Sequence, residues 1–242
     1  MPNARTGGVA ASQNNRLVIT GLSIMPGDKP IVKGKGSGSE VQYWSAPDWQ
    51  PAAKVPSICG PSNPTTGSPG HCFAQYGHCI AYAKNNLNDN IIHIIGGGNF
   101  ARCVTIGNWP SRIKTQWTIQ DAEMSEARWW HSCAVLNNTI YVLGGMEDSG
   151  KQLDSSEIFD PVTREFRCGP KLPKPFSNGE AFIYNSALHL FYVNEGEIYR
   201  LAANGKLWEK LGKFPHLMGK KKRDLTGDVK GAIVLKDTTL NC

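Results

Sequence analysis

No uninterrupted apolar stretch approaches the roughly 18–20 residues that a membrane-spanning helix needs, so the chain is expected to have no helical span. Its opening fifteen residues, MPNARTGGVAASQNN, hold no apolar core of a secretory signal. CxxC is missing too, which argues against a zinc ribbon or a thioredoxin-like motif. The seven cysteines (Cys59, Cys72, Cys79, Cys103, Cys133, Cys168 and Cys242) are odd in number and irregular in spacing, which speaks against a closed disulfide framework. Cys133, inside an apolar run, reads as a small core residue. These absences favour a reducing, intracellular setting, and the expected location is cytoplasmic. Catalytic signatures are equally scarce: G-x-S-x-G, H-E-x-x-H and the phosphate-loop pattern G-x-x-x-x-G-K-[ST] do not occur. Gly34-Lys35-Gly36-Ser37-Gly38-Ser39 has no strand before it and no helix after it, so it reads as a linker. Gly96-Gly97-Gly98 fails the dinucleotide-binding pattern for the same reason.

Positive charge is in modest excess, with a net charge of +6, but it is not gathered into a stripe. A nucleic-acid partner, which would require such a stripe, is therefore disfavoured. Lys220-Lys221-Lys222-Arg223 is the one dense run; it reads as a solvated loop, with nuclear import as the alternative. Lys29, Lys33 and Lys35 form a thinner group.

What the sequence does have is a repeat. The clearest unit begins HSCAVLNNTIYVLGG, from His131 to Gly145: a strand, an Asn137-Asn138 turn suited to positive φ, and a second strand ending on two glycines. After a polar loop, Glu157 to Phe159 and Arg164 to Arg167 flank Asp160-Pro161-Val162-Thr163, a turn with proline at its second position. Four short antiparallel strands in about 45 residues make one propeller blade. Upstream, GHCIAYAKNNLNDNIIHIIGGG repeats the pattern with Gly97 placed 48 residues before Gly145. Downstream, EAFIYNSALHLFYVNEG carries Asn194-Glu195-Gly196 in place of the diglycine, and RLVITGL supplies an earlier second strand. An acidic residue precedes an aromatic in three units: Glu40 and Trp49, Glu157 and Phe166, Glu197 and Trp208. Each of these aromatics is followed seven residues later by a proline. Trp117 takes the aromatic position in the remaining unit. The longer Glu197-to-Trp208 interval is placed in the Asn204-Gly205 hairpin.

Diglycine after an apolar strand, then an acidic strand, then a strand bearing an aromatic: this order resembles the kelch repeat. The resemblance runs over about 16–242 and implies an all-β kelch-type propeller of about four recognisable blades plus the start of another, an incomplete ring. The expected units lie at about 16–56, 71–124, 128–173, 178–215 and 228–242, with 1–15 a flexible tail. The glycines and aromatics are expected to be structural, the former admitting a close backbone approach and the latter filling the space between blades.

Against that frame, His71-Cys72 and His78-Cys79 could offer zinc-type ligands, but His78 and His131 hold equivalent repeat positions and read as repeat structure. No cofactor or metal is expected. Arg128-Trp129-Trp130-His131, leading into the third unit, combines residue types enriched at interaction hot spots. Two adjacent tryptophans in an extended segment are expected to point to opposite sides. The loops after each second strand and the lead-ins to each first strand should project from one face, giving Arg128, Trp129, Trp130, Lys29, Lys33, Lys35 and Lys151 as candidate partner-binding residues for an acidic peptide or protein surface. The resemblance implies a noncatalytic protein-interaction module, such as a ubiquitin-ligase substrate receptor or a cytoskeletal adaptor. The alternative is an enzyme on a propeller scaffold, such as a galactose-oxidase-like copper oxidase.

Overall fold

The computed structural model describes complete residues over 77–97, 122–147 and 149–213, and the backbone of further strands at 4–13, 16–24, 42–45, 48–51, 103–108 and 117–121. Every regular element among them is a strand, and the strands form four antiparallel sheets of four. The first contains β1 (Ala4–Gln13), β2 (Arg16–Ile24), β3 (Gln42–Ser45) and β4 (Asp48–Pro51). In the second are β5 (Cys79–Lys84), β6 (Asn90–Ile95), β7 (Cys103–Asn108) and β8 (Trp117–Glu123). The third holds β9 (Ser132–Leu136), β10 (Thr139–Leu143), β11 (Ser156–Asp160) and β12 (Glu165–Cys168), and the fourth β13 (Glu180–Tyr184), β14 (Ala187–Tyr192), β15 (Glu197–Leu201) and β16 (Trp208–Lys213). Chain order is strand order in each sheet. The first strands also meet between sheets, β1 beside β5, β5 beside β9 and β9 beside β13. That is the radial arrangement of propeller blades around their inner strands.

Register shows why the repeat reads as it does. In the second sheet Tyr82, Ile92, Gly107 and Trp117 lie across from one another in one row; in the third, Val135, Ile140, Phe159 and Phe166 form the same row. Ser12, Leu17, Trp44 and Trp49 repeat it in the first sheet, and Trp208 faces Leu201 in the fourth. The four outer-strand aromatics therefore hold equivalent positions. Phe166 packs into the core between the second and third sheets, and Trp208 into the core between the third and fourth. Inner strand β9 packs on both faces. Along β9, Cys133 and Val135 turn toward the second sheet while Ala134 and Leu136 turn toward the fourth, so the segment is apolar throughout rather than alternating.

Tight hairpins use the residues that tolerate positive φ. Asn137 and Asn138 stand at 51° and 61°, and Asn185 and Ser186 at 47° and 57°, the two-residue geometry that matches strand twist. The diglycines are close-approach sites. A Cβ on Gly97 would come within 2.7 Å of the His78 backbone nitrogen, and one on Gly144 would collide with the Phe176 carbonyl oxygen.

Three expectations change here. The 1–15 segment, read as a tail, contributes β1, which pairs with β2 through a register shift between Thr6 and Val9; small residues and the Gly7-Gly8 pair hide a strand whose order comes from its neighbour. The two extra residues of the fourth unit do not lie in the Asn204-Gly205 hairpin, since Leu201 and Trp208 are spaced like Phe159 and Phe166. They extend the start of β15, so Tyr199, not Glu197, stands at the register of Glu157; in the first sheet Gln42 does. Glu197 instead sits between Lys174 at 2.7 Å and Lys210 at 2.6 Å, whose hydrogen bonds hold its carboxyl down at about 2. Finally, Cys79 and Cys133 form a disulfide between adjacent inner strands. Residues one blade apart in sequence are neighbours in space, so spacing along the chain conceals the pair. The 228–242 segment and the Lys220–Arg223 run lie outside the described residues.

Candidate functional site

The loop after β10 and the lead-in to β9 come together on one side of the third sheet. Trp129 and Met146 exchange backbone hydrogen bonds of 3.1 and 2.8 Å, and the Trp129 indole N–H donates to the Glu147 carbonyl at 3.1 Å. The loop is ordered by its own polar groups: Lys151 Nζ lies 3.2 Å from Glu147 Oε1, and the Ser149 hydroxyl donates to Glu147 Oε2. The Lys151 and Ser149 contacts hold the Glu147 carboxyl below the usual carboxylate range. Lys151 is otherwise turned to solvent, its side chain 71% exposed.

Trp129 and Trp130 do not diverge. Their rings pack against each other with centroids 4.4 Å apart, because Trp130 is not extended but left-handed, at φ 54°. Its equivalents in the neighbouring sheets are Gly77 at φ 67° and Asn178 at φ 53°. This turn links the blades: the Trp130 N–H donates to the Gly77 carbonyl at 2.7 Å, and the Asn178 N–H donates to the Trp130 carbonyl at 3.2 Å. Glycine and asparagine take up that conformation readily, whereas a bulky aromatic does so at a cost. Both tryptophans are half-buried.

Arg128 is not a rim residue. It is fully buried. Its guanidinium donates to the Gly144 carbonyl at 2.8 Å and to Glu157 Oε1 at 2.8 Å, with Glu126 Oε2 at 3.2 Å and the Ser155 carbonyl at 3.3 Å. Glu157 completes the arrangement by accepting from the backbone N–H groups of Ser125 and Glu126. The cluster straps the crossing from the second to the third sheet onto β11. A guanidinium out of water needs its carboxylate and carbonyl partners, so here the arginine serves the fold. Sequence reasoning placed Glu157 on its strand but missed this pairing, because the acidic residues aligned with it do not share its register. His131 is structural as well, its Nε2–H donating 3.0 Å to the Ile95 carbonyl of the second sheet.

Of the candidate residues, the structure therefore brings Trp129, Trp130 and Lys151 to one rim and buries Arg128. Lys29, Lys33 and Lys35 lie outside the described residues, as do His71 and Cys72. His78 is fully buried and Cys79 is disulfide-bonded. Among the described residues no group of three or more His, Cys, Asp or Glu side chains is placed to hold a metal ion, and no helix is long and apolar enough to cross a membrane.

Comparison with known proteins agrees with this geometry. The family profile for the Kelch motif matches residues 131–173, the third sheet with its flanking segments. Beta-scruin of Limulus polyphemus is 40% identical over 60 residues, covering 25% of this chain and 6% of that protein. An F-box/kelch-repeat protein of Arabidopsis thaliana is 33% identical over 86 residues, covering 36% and 22%. Kelch repeat and BTB domain-containing protein 12 of Homo sapiens is 40% identical over 67 residues, covering 25% and 11%. The chain thus spans less than a quarter of the length of each of these relatives. Among solved structures, that of YjhT superposes with a TM-score of 0.62 at 16% identity, covering 89% of this chain and 67% of that one, a likeness of fold.

Proposed function

We propose that this chain, a kelch-repeat protein with a β-propeller fold, is a noncatalytic protein-binding module whose contact face is the rim where the 144–155 loop meets the lead-in to β9. The observation that carries this reading is the left-handed Trp130. The inter-blade hydrogen bonds at this turn go with a positive φ, and Gly77 and Asn178 supply it cheaply. A tryptophan placed there against its backbone preference points to a use for the side chain itself, an inference that runs from strain to function. Trp129, stacked beside it, and the exposed Lys151 extend the same surface. Aromatic anchors on an ordered backbone suit macromolecular recognition, and a rim lysine suits an acidic peptide or protein surface through its effect on encounter. Two of the similar proteins join kelch repeats to an F-box or a BTB domain by name, which favours a substrate-recognition or adaptor role.

Affinity capture with mass spectrometry, followed by binding and melting measurements on the same variants, tests the reading. Trp130→Asn places at this turn the residue that the next blade already uses. It should weaken partner binding by about 1–2 kcal/mol while leaving the melting temperature unchanged or slightly raised. Lys151→Ala should slow association, with the loss shrinking at high salt. Unchanged binding by Trp130→Asn would remove the rim from consideration.

A further inference from the structure

Cys79 and Cys133 occupy a position that the repeat defines. Cys79 is the first residue of inner strand β5, and Cys133 the second residue of the next inner strand, β9. One blade further on, the same two positions are held by Ser132 and Ala181, and there the Ala181 N–H donates to the Ser132 hydroxyl at 2.9 Å in a buried setting. The position thus accepts a hydroxyl hydrogen bond in one seam and a covalent bond in the other, on one backbone frame.

The seam that carries the disulfide is held without it as well. Trp130 N–H donates to Gly77 O at 2.7 Å, and Gly97 N–H to Arg128 O at 3.3 Å. The His131 ring bonds Ile95 O. At the far end of the strands Asn138 closes a pair of hydrogen bonds with the Lys84 backbone, at 2.6 and 3.0 Å. An apolar cluster fills the space between. Contacts of this number keep the two sheets together whether or not the sulfurs are joined. The two residues also differ in exposure: Cys79 is 4% exposed, while Cys133 is only partly buried.

We propose that Cys79 and Cys133 form a reversible redox latch between the second and third blades. Closure uses a small disulfide oxidant such as oxidised glutathione. The more accessible Cys133 loses its proton and attacks one sulfur of the reagent, whose S–S bond breaks to release one thiol. Cys79 then loses its proton and attacks the Cys133 sulfur of the mixed disulfide, releasing the second thiol. Two cysteine thiols are oxidised and one reagent disulfide is reduced to two thiols, with the two protons passing to those leaving thiolates. Opening is the reverse, driven by a thiol reductant. Because the bond ties residues 54 apart in the sequence, closure removes much of the freedom of the unfolded chain and leaves the folded backbone in place.

The test titrates the whole chain in glutathione buffers of graded poise, alkylates remaining thiols, and maps the peptides by mass spectrometry beside a melting curve for each sample. The expected result is a Cys79–Cys133 linked peptide that appears and disappears reversibly, with a melting temperature about 10 °C higher when it is closed. Cys168→Ser removes an exposed thiol and should leave that shift intact. Cys79→Ser with Cys133→Ala rebuilds at this seam the residues of the next one; it should fold, melt near the reduced wild type and show no shift with poise. The wild type measured in both redox states supplies the same comparison with no substitution at all. Failure of the linked peptide to form in the folded chain would overturn the proposal, as would a closed bond with no rise in melting temperature, or unfolding of the chain on reduction at room temperature.

Discussion

The seam between the second and third sheets and the seam between the third and fourth are built on one backbone plan with different side-chain chemistry. In each, the second residue of the turn after the sheet's second strand donates its N–H to the lead-in of the next sheet: Gly97 to Arg128 at 3.3 Å, Gly145 to Phe176 at 2.6 Å. The residue receiving that bond is fully buried in both cases. In the earlier seam it is an arginine paired with Glu157; in the later one it is a phenylalanine packed edge-on against Tyr192 with centroids 4.9 Å apart. The core facing position shifts likewise, from His93, which meets Phe159 across the seam, to Tyr141 in the later apolar cluster. At the inner strands a disulfide is replaced by a hydroxyl bond. The backbone hydrogen bonds carry the geometry, so the side chains that fill it can be charged, aromatic or covalent, provided each is satisfied.

Removing the two buried anchors should break the seams by different routes. Arg128→Ala is expected to cost about 3–5 kcal/mol, because it strands a buried carboxylate. Adding Glu157→Gln, which keeps one acceptor oxygen for the Ser125 N–H, the shorter of the two backbone contacts, but removes the charge, should return at least about 1 kcal/mol of that loss in a double-mutant cycle. Phe176→Ala should cost a similar 3–5 kcal/mol through the cavity it leaves, and no change at Glu157 should rescue it. Denaturant unfolding of the set separates a charge defect from a packing defect.

Acid should weaken the earlier seam through His93, with no counterpart at Tyr141. Burial of the His93 ring lowers its pKa from 6.5 to about 4, opposed by hydrogen bonds to the Ile91 and Ala81 backbone. The unfolded chain therefore takes up this proton first. The contribution of His93 to stability is fully present above pH 6.5 and is lost as the pH falls to about 4, an effect on the order of 3 kcal/mol. Stability measured across that range should fall less steeply for His93→Phe than for the wild type. The smallest effect is expected at the later seam, where Ser132→Ala leaves the buried Ala181 N–H without its acceptor and should cost about 1–2 kcal/mol.

Much of this architecture is legible in the sequence because it is written locally. The Asn137-Asn138 turn, the apolar run of β10 and the two glycines that follow mark strands and their ends over a few residues, and the same marks recur one blade away. The outer-strand aromatics Trp49, Trp117, Phe166 and Trp208 could be aligned for the same reason. Alignment by spacing failed where two residues could be added at either end of a strand: Glu197 matches Glu157 in type, but its register belongs to another row. It failed again at β1, whose small residues carry little strand preference of their own and are ordered by pairing with β2. The candidate rim was legible as a set of loops, yet the roles within it were not, since Arg128 and Trp130 differ by only two positions, and one is fully buried while the other is half-buried.

The sequence by itself determines the repeat, the strand order within each blade and the places where the chain turns, since hydrophobic pattern and turn chemistry act between near neighbours. Only the tertiary structure decides that Arg128 is buried against Glu157, that Trp130 is left-handed and stacked on Trp129, and that Cys79 meets Cys133. Each of these depends on contacts across a seam, between residues tens of positions apart that share no local pattern. A repeat of about fifty residues hides such contacts in the chain and restores them in space, because every blade buries its face only against the next.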